Sequence, residues 1–178
     1  MIETLAENLA IRIKRANREQ TASVAVMKFA LIIIINFCIP ISASLLIGAV
    51  TGKVAETAIG IGFFILLRMI SGGYHFASPI PCMLSTAAVT AIPPHLTFSE
   101  LWTPVLTAGA FILVALLAPA NMKGYNTMPE KYYPLLKFIS MLIVASNFLL
   151  QSQTVAIVLA IQGLTLLFHN KDKEVSKA

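Results

Sequence analysis

Charge is what this chain has least of. Asp, Glu, Lys and Arg make up 12% of its 178 residues, against about 25% in an average soluble domain, while hydrophobic residues reach 57%. So few charges cannot coat a globule of this size, which argues against a water-soluble fold. Cysteine is scarce as well. Cys38 and Cys82 are the two present, too few for a disulfide framework or a CxxC knuckle. Zinc needs at least three protein ligands, and there is neither an HExxH motif nor a Cys/His cluster. No glycine-rich phosphate loop occurs. The net charge of +5 does not indicate nucleic acid, because the basic residues flank apolar segments and form no aromatic-interleaved patch.

What the chain does have is long apolar runs. Residues 29–52, 69–99, 101–122 and 138–170 contain no Asp, Glu, Lys or Arg, and about 20 apolar residues suffice to cross a bilayer core of about 30 Å. The expected fold is therefore all-α and polytopic, a single compact transmembrane unit over residues 1–178. Six spans are read, at about 29–50, 54–70, 82–98, 101–118, 134–150 and 153–169. The second is short and carries Glu56 and Arg68 near its ends, which calls for tilt or shielding by neighbours. Pro93-Pro94 kinks the third or makes it re-entrant. Gln151-Ser152-Gln153 divides the last run into a hairpin, the alternative being one span plus a re-entrant segment.

Within residues 1–27, Ile2, Leu5, Ala6, Leu9 and Ile13 recur at spacings of three and four, the pattern of an amphipathic helix. It lies on the membrane surface or packs on the rest of the protein. It is no cleavable signal: Arg12, Lys14, Arg15 and Arg18 follow a mixed stretch, and the apolar run after Lys28 is too long. With six spans and both termini in the cytoplasm, every Lys and Arg except Lys53 falls on the inner side, the bias short loops show. The segment from Arg68 to Cys82 then faces the cytoplasm.

That segment, Arg68-Met-Ile-Ser-Gly-Gly-Tyr-His75-Phe-Ala-Ser-Pro-Ile-Pro-Cys82, holds a base and a nucleophile candidate between two apolar spans. An imidazole can take a thiol's proton and return one to a leaving amine. In continuous helix His75 and Cys82 would be about 10 Å apart, so the segment must bend. Gly72 and Gly73 permit the bend, and Pro79 and Pro81 disfavour helix just before them. A helix starting near Pro79 or Pro81, with Ser78 as cap, puts Cys82 in its first turn, where free N–H groups and the helix dipole favour a thiolate and an oxyanion.

Arg68, Gly72-Gly73, His75 and Cys82, in this order between the second and third spans of a chain this size, resemble the accessory gene regulator protein B (AgrB) family. Ala118-Pro119 with Asn121 and Lys123 is similar to that family's inner loop after the fourth span. The resemblance implies a bacterial plasma-membrane cysteine endopeptidase without a cofactor, acting on the precursor of an autoinducing quorum-sensing peptide. Cys82 corresponds to the nucleophile and His75 to its partner. An acyl-enzyme thioester forms, and a Cys or Ser of the precursor closes a thiolactone or lactone ring on it. The family's precursors carry an amphipathic leader and an acidic tail, which Lys123 and Lys131 are placed to attract. Arg68 orients the loop or meets an acidic group of the peptide, unless it is only an inner-face anchor. A homodimer is expected from the same resemblance.

Other positions are set aside. Cys38 is expected to pack mid-span, His95 to lie across the membrane from Cys82, and His169 to sit at the inner interface. Ser71 and Ser78 are candidates for a third member of the site. Asn36, Pro40, Ser42, Ser44 and Gln162 could line a pathway, so the competing class is a small transporter or channel component, or a membrane scaffold. A transporter concentrates polar residues near the midplane, whereas the most reactive pair here sits at the cytoplasmic border.

Overall fold

The computed structural model describes residues 2–74, 76, 78–122 and 129–168. Among these the elements are helical: α1 (Ile2–Ala16), α2 (Val24–Val50), α3 (Val54–Ser71), α4 (Pro79–Ala91), α5 (Trp102–Leu117), α6 (Tyr133–Ala145), α7 (Asn147–Leu150) and α8 (Gln153–Thr165), with 3-10 turns at Pro93–His95 and Glu130–Tyr132. Three stretches are long and apolar enough to cross a bilayer, Val24–Val50, Val54–Ser71 and Glu130–Leu150. Three other helices are shorter. α5 has 16 residues and α4 and α8 have 13 each, about 20–24 Å of helix against a core of about 30 Å. Hydropathy alone overstates these three, because their apolar runs continue into turns at Pro93-Pro94, Ala118-Pro119 and the residues after Thr165.

Antiparallel passes alternate between two ends of the bundle. At one end Gly73, Ala120, Thr165 and Phe168 meet. At the other, Thr51 Oγ1 lies 3.3 Å from His95 Nε2 and Gln153 Nε2 donates to the Phe98 carbonyl at 2.8 Å. His95 is thus at the far end of α4 from Cys82, about 14 Å of rise away before the turn is added.

α8 is the axis of the packing. Thr154 to Leu159, Gln162 and Gly163 are buried in it, and α3 and α5 lie against it. Close approach is made by small residues, as is usual where the surroundings are apolar and hydrophobic exclusion cannot drive helices together. A Cβ on Gly163 would meet Leu113 Cδ1 at 3.3 Å, and one on Gly60 would meet Thr154 Cγ2 at 3.2 Å. Leu67, Val114, Val144, Val155, Leu159 and Leu166 fill the core around this axis.

α1 folds back on α2. Ala6 and Ala10 are fully buried, and Glu7 pairs with Lys28 at 2.8 Å. Leu5, Leu9 and Ile13 point outward instead. The small residues therefore serve the protein contact, and the large apolar ones form a separate exposed row. Cys38, expected to pack, is exposed on α2. In a chain whose outside is apolar, an apolar neighbourhood in sequence does not distinguish core from surface.

The α6–α8 connection is held by one amide. Asn147 is 1% exposed; its Nδ2 donates to Thr107 Oγ1 at 2.9 Å and to the Ser152 carbonyl at 3.2 Å, and its Oδ1 accepts from Ser152 N at 3.2 Å. Gln151 takes the left-handed conformation and Ser152 caps α8 through Val155 N. Asn147→Leu orphans the Ser152 N–H, its carbonyl keeping the Ala156 N–H at 3.0 Å, and a buried orphan donor costs about 1–3 kcal/mol. A clear fall in Tm in detergent is expected, whereas Cys38→Ser should leave Tm unchanged.

Candidate functional site

Helix α3 ends inside the bundle, and its end builds the site. Arg68 stands in its last turn and Ser71 is its last residue. Ser71 Oγ donates back to the Leu67 carbonyl at 2.7 Å, and Gly72 N–H closes on Arg68 O at 3.2 Å. The chain then turns through two residues of positive φ, Gly72 at 71° and Gly73 at 123°. Here glycine is required twice over. A Cβ on Gly72 would stand 2.1 Å from the Ala120 carbonyl oxygen, and one on Gly73 would stand 2.4 Å from Arg68 Nη1.

Two remote segments hold this turn. Ala120 donates to Ser71 O at 2.9 Å and accepts from Gly73 N at 3.0 Å, an isolated parallel bridge between Gly72 and Ala120. The segment from α5 reaches it through the cis Ala118-Pro119 bond. From α8, Gln162 Nε2 donates to the Gly72 carbonyl at 2.8 Å and to Ser71 Oγ at 3.3 Å. Tyr74 N donates to the Thr165 carbonyl at 3.1 Å. Arg68 completes the tie: Nη1 donates to Thr165 Oγ1 at 3.2 Å and Nη2 to the Tyr74 carbonyl. Among the described residues no carboxylate pairs with this guanidinium.

The chain resumes as helix at Pro79, with Ser78 at the cap position in extended backbone but without a side-chain cap bond. Cys82 is the fourth residue of α4, in its first turn. Prolines at 79 and 81 carry no N–H, so the donors of that turn are Ser78 and Ile80. Cys82 is partly exposed, and its carbonyl accepts from Ser85 Oγ at 3.0 Å.

A cavity of about 700 Å³ joins these pieces. α4 turns one face to it, Cys82, Ser85, Thr86, Val89 and Thr90, at the i, i+3, i+4, i+7 spacing of a helix face. α3 contributes Ile61, Phe64, Ile65 and Arg68, α2 contributes Asn36 and Phe37, and α8 contributes Gln162 and Thr165. Tyr74 and Phe76 close one end, edge to face at 5.2 Å between ring centres. The walls are mostly hydrocarbon. Arg68 and Cys82 share the cavity and lie within electrostatic reach of one another.

The structure therefore brings together Arg68, Gly72, Gly73 and Cys82, with Ser78 at the head of the same helix. His75, Lys123 and His169 lie outside the described residues. Lys131 is exposed before α6, over the Tyr132 ring at 4.9 Å, and is not in the cavity wall. Ser71, considered as a third member of the site, spends its hydroxyl on Leu67 O and Gln162. The sequence marks Gln162 only as a pathway residue, by the signal of an amide inside an apolar run; its partner in the turn, Gly72, is 90 positions away.

Gly72→Ala should break the turn, since the obstructing atom is backbone and cannot move aside cheaply. Low membrane accumulation or a large loss of Tm is expected. Gly62→Ala, at a helical position where a Cβ meets nothing within 4 Å, should hold or raise Tm, Ala being favoured over Gly by up to about 1 kcal/mol in a helix.

The family model described as Accessory gene regulator B matches residues 2–169. A curated relative from Halalkalibacterium halodurans, titled "Putative AgrB-like protein", is 32% identical over 117 residues, covering 64% of this chain and 54% of that protein. The chain thus spans about half the length of this relative. No solved structure matches.

Proposed function

The chain belongs to the accessory gene regulator B family, and we propose that it is a membrane cysteine endopeptidase that matures an autoinducing peptide from a short precursor. The observation that carries this reading is the position of Cys82: partly exposed, at the head of a helix, in a largely apolar cavity shared with a guanidinium. His75 is proposed as its base. Tyr74 and Phe76, its neighbours in the chain, both line that cavity.

In the proposed reaction His75 takes the Cys82 proton and the thiolate attacks the carbonyl at the cleavage point. The tetrahedral oxyanion meets the Ser78 or Ile80 N–H of the first turn of α4. The C–N bond breaks, the amine leaves with the proton returned by His75, and the acyl group remains on sulfur as a thioester. A thiol or hydroxyl of the same precursor then attacks the thioester, the bond to Cys82 breaks, and its proton passes to the released thiolate. Thiol exchange on a thioester is nearly neutral in energy, whereas forming a thioester from an amide is not. The ring can therefore close only if water stays away from the intermediate, and a hydrocarbon-lined cavity keeps it away.

The three helices long and apolar enough to cross a bilayer support a membrane protein, here read as multi-pass with six spans and with both termini and the catalytic end on the cytoplasmic side, where that topology gathers the basic residues. There Lys123 and Lys131 attract the acidic tail of the precursor, and Arg68 orients the loop. The exposed row Leu5, Leu9 and Ile13 on α1 lies in the membrane surface. Two copies associate as a homodimer.

Co-expression with a candidate precursor peptide of this family's type tests the chemistry. Cys82→Ala, Cys82→Ser and His75→Ala should accumulate in the membrane while the precursor stays full length. Undiminished processing by Cys82→Ala ends the reading, and a transporter or scaffold takes its place. The charge argument has its own check. Lys131→Glu should raise KM for the precursor several-fold at low salt with kcat retained, and the difference should shrink as salt screens it.

A further inference from the structure

Asn36 on α2 and Gln162 on α8 both line the cavity, and the amide oxygen of each is buried without a hydrogen-bond donor. Gln162 is fully buried, and its orientation is fixed, because reversing the amide would take the donor away from the Gly72 carbonyl. A buried acceptor left unpaired is costly. A lipid chain in the cavity would not relieve that cost, having nothing to donate. An occupant carrying N–H groups would.

The shape of the cavity narrows the choice. Its α4 wall runs from Cys82 to Thr90, about 12 Å of helix, a distance that about four residues of extended peptide cover at about 3.3 Å each. A helical segment has its N–H groups engaged internally; an extended one offers them alternately to either side. The two acceptors come from different helices, α2 and α8, each of which contributes its own stretch of wall.

Resting on the proposal that a peptide acylates Cys82, we infer that this cavity is the binding channel for the acyl side of the substrate. The residues just before the cleaved bond run extended from Cys82 toward Thr90, and Asn36 and Gln162 accept backbone N–H groups from them. This half of the substrate stays on the sulfur after the amine has left, so it is the half that must be held. The acidic half cannot take its carboxylates into hydrocarbon and stays outside. Asn36 and Gln162 are positioning residues and read backbone, so the channel selects an extended, apolar segment rather than a particular side chain.

The test uses the full chain carrying Cys38→Ser in proteoliposomes, with precursors N-methylated singly at each of the four residues before the cleaved bond. N-methylation removes one donor and leaves the side chain alone. At two positions KM should rise about tenfold with kcat little changed, and in Asn36→Leu one of these penalties should disappear. Equal cleavage of all four analogues, or penalties that persist unchanged in Asn36→Leu, overturns the inference. Val89→Trp, which fills the deep end of the channel, should abolish cleavage while N-ethylmaleimide still alkylates Cys82 at the unsubstituted rate. Retained cleavage by Val89→Trp also overturns it, and if alkylation is lost too, the fold has been damaged and the Asn36→Leu comparison decides. Cleavage by Cys82→Ala sinks the peptidase reading itself. A Cys82-dependent cleavage indifferent to N-methylation sinks only the channel.

Discussion

A helix that stops inside an apolar bundle must hand each freed backbone group to another partner, because no water is there to take it. That constraint organises this protein. Between residues 67 and 74 seven bonds make such a handover. Leu67 O goes to the Ser71 hydroxyl, Arg68 O to Gly72 N, Ser71 O to Ala120 N and Gly72 O to Gln162 Nε2. Gly73 N goes to Ala120 O, Tyr74 N to Thr165 O, and Tyr74 O to Arg68. The irregular chain leading to Cys82 exists because side chains and backbone from two distant segments, with Arg68 of α3 itself, stand in for the missing helix.

The same handover explains why the site and the bundle cannot be separated. α8 is both the packing axis and the source of Gln162 and Thr165, and the turn after α5 supplies Ala120. The loop between α3 and α4 is therefore held from the last described helix of the chain, and the guanidinium of Arg68 is used as a clamp with its donors spent on neutral oxygens. A lysine could not reproduce the two-armed grip, since its ammonium is a point and the guanidinium a planar fork. Tightness at the glycine pair follows from the same crowding: with Ala120 O and Arg68 Nη1 already in place, no side chain fits at Gly72 or Gly73.

Much of this was legible in sequence, and the reasons it was or was not are local. The turn at Gly72-Gly73 and the helix start at Pro79 were readable because glycine and proline declare their backbone preferences without help from elsewhere. The all-helical class followed from the apolar runs. Helix lengths did not, because hydropathy does not see where a run such as 101–122 leaves the helix at Ala118. Nor could the partners of the turn be read, since the Gly72–Ala120 and Gly72–Gln162 contacts depend on how helices pack. Cys38 was misjudged for a related reason: an apolar exterior gives the same sequence signal as an apolar core. On α1 the periodicity was visible, yet the division of labour, alanines inward and leucines outward, depends on the presence of α2.

The proposed chemistry and the architecture meet in one requirement, dryness. An acyl group moved from amide to sulfur is kept only while water is excluded, and the side chains of Phe37, Ile61, Phe64 and Ile65 in the cavity wall offer water no hydrogen-bond partner. But dryness makes every polar group in the wall expensive unless it is paired. Of the polar groups there, Arg68, Ser85 and Thr90 have protein partners, and Gln162 has them for its nitrogen alone. The oxygens left over, on Asn36 and Gln162, have no protein donor. In the proposed channel an extended backbone supplies the two N–H groups that they lack, so the apolar wall invoked to protect a thioester is also the one that would favour a peptide over a lipid chain.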